Sequence, residues 1–204
     1  MFPKMVEILS PGKSGDAEIT HFTVSERDSK FSRMREASGH RGSYVSAGQY
    51  AQLTVGQTLM MTDTQNEQRT NQAVLAFANG HVFIAGLGIG MIVHPIAAKP
   101  EVTRITVLEK SQGVIDLVKG TLPAKVEVIQ GDVFEYKPEK GTKFDTVYFD
   151  IWPTITTDNL PEMTKLHRRF ARFKVPGGWM DSWCRDHLKD QQRRHKRQSA
   201  RYGW

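Results

Sequence analysis

The feature that most constrains this chain is the run VFIAGLGIG from Val82 to Gly90, an apolar stretch that breaks into three glycines at alternate positions. About twenty residues later a second apolar run, Ile105 to Leu108, ends in Glu109. A short continuous apolar run reads as a strand buried on both faces, the habit of a parallel sheet. Glycines just after such a strand let a ligand approach the backbone closely. An acid at the end of the next strand can accept hydrogen bonds from the two hydroxyls of a ribose. The pair predicts a nucleoside-containing cofactor lying across the carboxyl ends of two neighbouring strands.

The glycine spacing narrows the choice. A dinucleotide fingerprint, G-x-G-x-x-G, would need glycine at position 91, which is Met91. The glycine turn runs on into Met91 and Ile92 without a Gly-Lys-Ser/Thr ending, so a phosphate-binding Walker loop is not read there. The G-x-G-x-G of Gly86, Gly88 and Gly90 is the spacing of class I methyltransferase-like folds, whose cofactor S-adenosylmethionine has no pyrophosphate to cradle. The alternative for the triplet alone is a tight strand-to-helix turn with no ligand.

Further elements extend the pattern. Val126 to Ile129 reads as a third strand, followed by Gly131, Asp132 and Val133, and Phe144 to Phe149 reads as a fourth, ending in Asp150, Ile151, Trp152 and Pro153. Helical stretches fall at about Met91 to Ala98 and Ser111 to Gly120. Alternating strands and helices predict an α/β fold with a Rossmann-like, doubly wound, mostly parallel sheet. Polar groups after the strand ends then converge on one crevice, with Asp132 toward an adenine amino group and Asp150 toward the reacting end of the cofactor.

From about Thr58 to Cys184 the chain resembles the spermidine synthase-like branch of the class I S-adenosylmethionine-dependent methyltransferase superfamily. The resemblance rests on Leu59 to Asp63 followed by Asn66 and Glu67, on apolar Ile84 two residues before Gly86, and on Gly131 to Tyr136. It implies a ribose contact for Glu109 and an adenine contact for Asp132, with Val133 beside it. The departures are also informative. Polyamine-forming relatives carry an acid in the glycine loop, where this chain has Ile89, and two acids after the fourth strand, where it has Asp150 alone. Their Asp-Glu-x-x-Tyr is replaced by Asn66 to Asn71, which brings in Arg69. A buried ammonium needs paired anions. The expectation is therefore methyl transfer to an unidentified acceptor. Aminopropyl transfer from decarboxylated S-adenosylmethionine is the alternative, and a non-catalytic cofactor- or nucleic-acid-binding protein is the third reading.

Asp150 is the candidate for orienting or deprotonating the acceptor. Trp152 is a candidate stacking face for a planar nitrogen substrate, or a plug that closes the strand end. Asn66, Glu67 and Asn71 are candidate substrate contacts, and Arg69 a candidate partner for the methionine carboxylate. The alternative for this cluster is a helix N-cap with solvated neighbours. His94 reads as structural. Catalysis would come mostly from positioning and desolvation.

At 204 residues, 39% hydrophobic and 25% charged, the chain supports one main domain with an appendage. Three parts are expected: a β-rich appendage over 1–72, the Rossmann-like core over 73–184 and a basic helix or tail over 185–204. In the first, Ala17 to Val24, Gly42 to Ser46, Gln52 to Val55 and Thr58 to Met61 read as short strands. The basic, Ser/Gly-rich stretch from Arg27 to Arg41 reads as a mobile loop. Leu160 to Phe173 has helical apolar spacing, Val175 to Gly178 reads as a loop, and Trp179 to Trp183 as the fifth strand. No further strands are readable, so the sheet is expected to be short at its C-terminal end, with a homodimer as one way to cover its edge.

The single cysteine, the absence of a charged-then-apolar leader and a mean hydropathy of −0.46 lead to the expectation of a cytoplasmic protein with no membrane association. No Cys/His cluster has metal spacing. Residues 185–204 hold seven basic and two acidic side chains, nearly all of the net charge of +6. Such a block can bind nucleic acid, or can simply be a solvated helix.

Overall fold

The computed structural model describes residues 1–40 and 42–202, with side chains described through residue 200. Arg41, in the stretch read as a loop, and Gly203 and Trp204, in the basic tail, lie outside the described residues. Two sheets are present. The first is antiparallel, in the order β1 (Gly12–Ser14), β2 (Ala17–Val24), β3 (Gly48–Val55), β4 (Thr58–Thr62). A short helix α1 (Met5–Ile8) precedes it, and α2 (Glu26–Ala37) joins β2 to β3. Helices α3 (Gln65–Thr70) and α4 (Gln72–Phe77) lead into the second sheet.

The second sheet holds β5 (Gly80–Ala85), β6 (Val102–Glu109), β7 (Val126–Gln130), β8 (Phe144–Phe149) and β9 (Lys174–Ser182). All five are parallel, in the order β7-β6-β5-β8-β9. Helix α5 (Val93–Ala97) follows β5, α6 (Gln112–Val118) follows β6, α7 (Leu160–Phe170) follows β8, and α8 (Arg185–Tyr202) follows β9. The order reverses between β5 and β8, the position where open α/β sheets form their ligand crevice.

Side-chain alternation explains why the sheet is covered on both faces. On β5, Val82 and Ile84 enter one hydrophobic cluster while Phe83 and Ala85 enter another. The first cluster also takes Val93 and Ile96 of α5 and Val114 and Val118 of α6, and it runs on without a break into Ile19 and Leu53 of the antiparallel sheet. The second takes Leu160, Met163, Leu166 and Phe170 of α7, together with Leu188 of α8. Gly113 permits the join between the sheets: a Cβ there would overlap the carbonyl oxygen of Ser14, so α6 and the β1–β2 hairpin can touch only through glycine. A buried carboxyl, Asp63, ties α1 to β3 by accepting hydrogen bonds from Met5 N at 2.9 Å and Ala51 N at 2.8 Å.

Four local expectations are corrected. The stretch read as a loop from Arg27 forms most of α2, started by Ser25, whose hydroxyl accepts from Asp28 N at 3.2 Å. Gly42 to Ser46 forms no strand and is held by hydrogen bonds to Ser32 and Glu36 of α2. The α7 helix stops at Phe170, where the chain tightens into a 3-10 turn over Ala171–Phe173. Val175 to Gly178 lies within β9, whose register to β8 shifts between Phe144 and Thr146. Among the described residues no strand lies beyond β9, and no helix is long and apolar enough to cross a membrane.

Candidate functional site

The parallel ladder continues past the strand ends and lines up the site. Gly131 N donates to Glu109 O at 2.8 Å, Gly86 N to Leu108 O at 2.9 Å, Asp150 N to Ala85 O at 2.8 Å, and Trp183 N to Phe149 O at 2.9 Å. These bonds place Asp132, Glu109, Gly86, Asp150 and Trp183 side by side at the carboxyl edge of the sheet. They border a cleft of about 740 Å³. The antiparallel sheet closes it from the other side with Gly15, Asp16, Leu53, Met60 and Met61.

Glu109 organises the glycine turn. Its Oε2 accepts from Leu87 N and its Oε1 from Ser111 N, each at 2.8 Å. Each oxygen keeps a second lone pair for a further donor, which suits the paired hydroxyls of a ribose. The two glycines of the turn that line the cleft, Gly86 and Gly88, have distinct reasons to be glycine. All three of Gly86, Gly88 and Gly90 have positive φ. A Cβ on Gly86 would overlap the carbonyl oxygen of Asp150, and one on Gly88 would overlap the sulfur of Met61. Met61 Sδ also accepts from Ile89 N at 3.3 Å, so β4 reaches across and covers the turn. Gly90 is buried behind the turn against Val118, Leu122 and His94 and is not among the cleft-lining residues. His94 beside it has a buried Nε2 without a protein partner, and burial pushes its imidazole below the ordinary range.

Asp132 and Val133 both line the cleft. The Asp132 carboxylate accepts from Phe134 N at 2.8 Å and pairs with Lys110 Nζ at 3.0 Å, and these two contacts hold it below the usual carboxylate range. No helix forms between β7 and β8, so this loop needs another anchor. Arg169 of α7 supplies it by donating to the carbonyls of Val133, Phe134 and Tyr136.

At the other end of the cleft, Asp150 and Glu67 come together. Burial pushes the Asp150 carboxyl up to about 7, helped by the charge of Glu67. Burial alone pushes Glu67 up to about 7. Cys184 is near both: burial and the two carboxyls push its thiol up to about 12, so it stays protonated and is no nucleophile at neutral pH. Cys184 also carries the one positive φ of a non-glycine among the described residues, at 54°, at the junction of β9 and α8. Trp183 lines the cleft and donates its Nε1 to Thr70 Oγ1 at 3.0 Å, fastening this junction to α3. Trp152 lines the cleft with its ring mostly buried, and its Nε1 donates to Glu162 Oε2 of α7 at 2.8 Å.

The remaining candidates sit elsewhere. Arg69 is exposed, donates to Asn66 Oδ1 at 3.1 Å and faces Glu36 of α2 at 3.8 Å; neither it nor Asn66 lines the cleft. Asn71 is buried, accepting from the Tyr148 hydroxyl at 2.9 Å and donating to Glu67 O at 3.1 Å, so it braces α3 against β8. Of the polar cluster before α4, the structure therefore brings only Glu67 to the cleft. Glu162, Lys110, Met61 and Arg169 were not read from the sequence. Their roles depend on contacts between elements far apart in the chain, and no local motif announces them.

No family model matches the chain, and no curated protein matches it. Solved structures share parts of its architecture. A DhpI–SAH complex is 19% identical over 57% of this chain and 54% of its own, with a TM-score of 0.44. The N-methyltransferase NodS from Bradyrhizobium japonicum WM9 is 14% identical over 57% of this chain and 66% of its own, with a TM-score of 0.44. The CcbJ methyltransferase from Streptomyces caelestis is 20% identical over 55% and 46%, with a TM-score of 0.40. The chain thus spans less than two thirds of the length of each, and the likeness is too partial to assign an activity.

Proposed function

We propose that the chain is an S-adenosylmethionine-dependent methyltransferase whose acceptor is an amine or another basic nitrogen. The observation that carries this reading is the row of Gly86, Glu109, Asp132 and Asp150 along one cleft, with acceptors spaced from one end to the other. Glu109 would take the ribose hydroxyls on its free lone pairs, and Asp132, held by Phe134 N and Arg169's loop, the adenine amino group. The cofactor, when bound, supplies an activated methyl group on a sulfonium.

The chain's own contribution lies at Glu67 and Asp150. Two carboxyls that both titrate near 7 coexist near neutrality as one carboxylate and one carboxylic acid. The carboxylate can hold an ammonium and accept its proton, which frees the nitrogen lone pair to attack. Trp152, fixed by Glu162, provides an aromatic wall that excludes water from the same end.

A second reading is aminopropyl transfer from the decarboxylated cofactor. It gains from the position of Arg69, which leaves the methionine carboxylate without its candidate partner, and from the second acid that Glu67 adds beside Asp150. Parallel calorimetric titration with S-adenosylmethionine, its decarboxylated form, S-adenosylhomocysteine and NAD separates these readings. Binding of the first and third, lost in Glu109→Ala, supports methyl transfer. Preference for the decarboxylated form supports the second reading, and a folded protein that binds none of the four refutes both.

A further inference from the structure

Helix α8 is anchored at one end only. Leu188 is buried in the second hydrophobic cluster, whereas every residue from Gln191 to Ala200 is exposed. That ten-residue stretch extends about 15 Å at the standard helical rise, with none of its side chains packed into the body. A helix that buries no apolar face gains nothing from packing there, so its sequence answers to another demand.

The charge on α8 is arranged, not scattered. Lys189, Arg193, Lys196 and Arg197 fall at i, i+4, i+7 and i+8, along one face, with Arg194 at its margin. Leu188, Gln191, His195 and Ser199 occupy the opposite face. Asp186 pairs with Lys189 and Asp190 with Arg193, both within the first half of the helix. Exposed pairs of this kind are worth little. No acidic residue follows Asp190 in the chain. Helix α7, packed beside α8, adds exposed Lys165 and Arg168, and the 3-10 turn that follows it adds exposed Arg172.

We infer that the exposed half of α8 is a docking element for duplex nucleic acid, gripping the phosphate backbone through its basic face. The charge is complementary to closely spaced phosphates, and a single bare helix matches the width of a major groove. A membrane surface is the less suitable partner, because an interfacial helix needs large apolar residues opposite its basic face. Here the exposed half of that face holds Gln191, His195 and Ser199, and its one apolar residue, Leu188, is buried in the body. This inference stands independently of the cofactor and of any chemistry in the cleft.

The test uses the full chain without added cofactor. Fluorescence anisotropy with a labelled mixed-sequence DNA duplex is followed across salt concentrations. The variant replaces Arg193, Arg194, Lys196 and Arg197 with Gln, which keeps helix propensity and leaves the cleft untouched. The expected result is at least a tenfold loss of affinity at low salt and a salt slope shallower by about 3 to 4, near 0.9 per phosphate contact removed. Circular dichroism and melting temperature should not change. An unchanged affinity and slope, or tighter capture of the parent chain by phosphatidylserine vesicles than by the duplex, overturns the proposal.

Discussion

Glu67, delivered by α3 from the antiparallel side of the molecule, and Asp150 at the end of β8 meet at one end of the cleft, where burial pushes both carboxyls up to about 7 and the charge of Glu67 adds to the shift of Asp150. An acid whose folded value is raised is stabilising to keep protonated and costly to ionise. The protein is therefore nearly free of this cost at pH 3, accumulates it between the ordinary carboxylate range and about 7, and bears nearly all of it at pH 8.

The pair gives the first prediction. Asp150→Asn should raise the melting temperature at pH 8 by about 3–6 °C, roughly 1–2 kcal/mol for a chain of this size. At pH 3 the gain should nearly vanish, because Asp150 is then mostly protonated in both the native and the unfolded chain. The same variant should lose at least tenfold in turnover if Asp150 accepts a proton from the acceptor. Melting curves at the two pH values check the sign. A variant less stable than the parent at pH 8 contradicts a stability cost from ionising this buried carboxyl.

Glu109 is placed to act on both the turn and the ligand. Replacing it with Ala leaves Leu87 N and Ser111 N without their acceptor, at a cost of about 1–3 kcal/mol. Glu109→Gln keeps an oxygen for one of the two N–H groups, so its stability should fall between Ala and the parent. Calorimetry on the same variants should show S-adenosylmethionine affinity falling at least tenfold in Ala. Retained affinity in a destabilised Glu109→Ala variant would assign this residue to the fold alone.

Gly88 and Met61 are coupled through one contact, although Gly88 lies in the turn after β5 and Met61 in β4 of the antiparallel sheet. Gly88→Ala forces a Cβ into the Met61 sulfur and into a left-handed backbone with φ of 52°. Met61→Ala removes the collision but not the backbone strain, which is about 1–2 kcal/mol for a non-glycine residue. The double variant should therefore be more stable than the sum of the single effects, by about 1 kcal/mol or more in a double-mutant cycle. Additive effects would mean that Met61 moves aside freely and does not hold the turn.

What the sequence made legible follows the range of each interaction. The β5 turn, Glu109 and the parallel strands were readable because strand, glycine and acid are neighbours in the chain. Helix α2 was misread for the opposite reason. Its only buried residue is Ser29, and Phe31 and Met34 are exposed, so no apolar periodicity marks it. The Ser25 cap and the acidic first turn were the available signal. The Glu67–Asp150 pair could not be read, because the two residues meet only through tertiary packing between α3 and the end of β8. The same polar cluster sends Arg69 out to Glu36 and buries Asn71 beneath Tyr148. Residue type alone does not distinguish those three fates.

Arg169 is the last case, a residue far from the cofactor motifs that fixes one of them. Its guanidinium donates to three carbonyls of the loop that carries Asp132, a loop with no helix of its own. Arg169→Lys retains the charge but not the planar fork, so it can satisfy at most some of these acceptors at once. Stability should fall by about 1–3 kcal/mol. Hydrogen exchange should rise at Phe134 and Tyr136, whose amides donate to Asp132. Ligands that carry adenine should weaken more than methionine alone, since the loop serves only the adenine end of the proposed cofactor. Equal weakening of adenosine and methionine would show that Arg169 supports the domain at large instead of this loop.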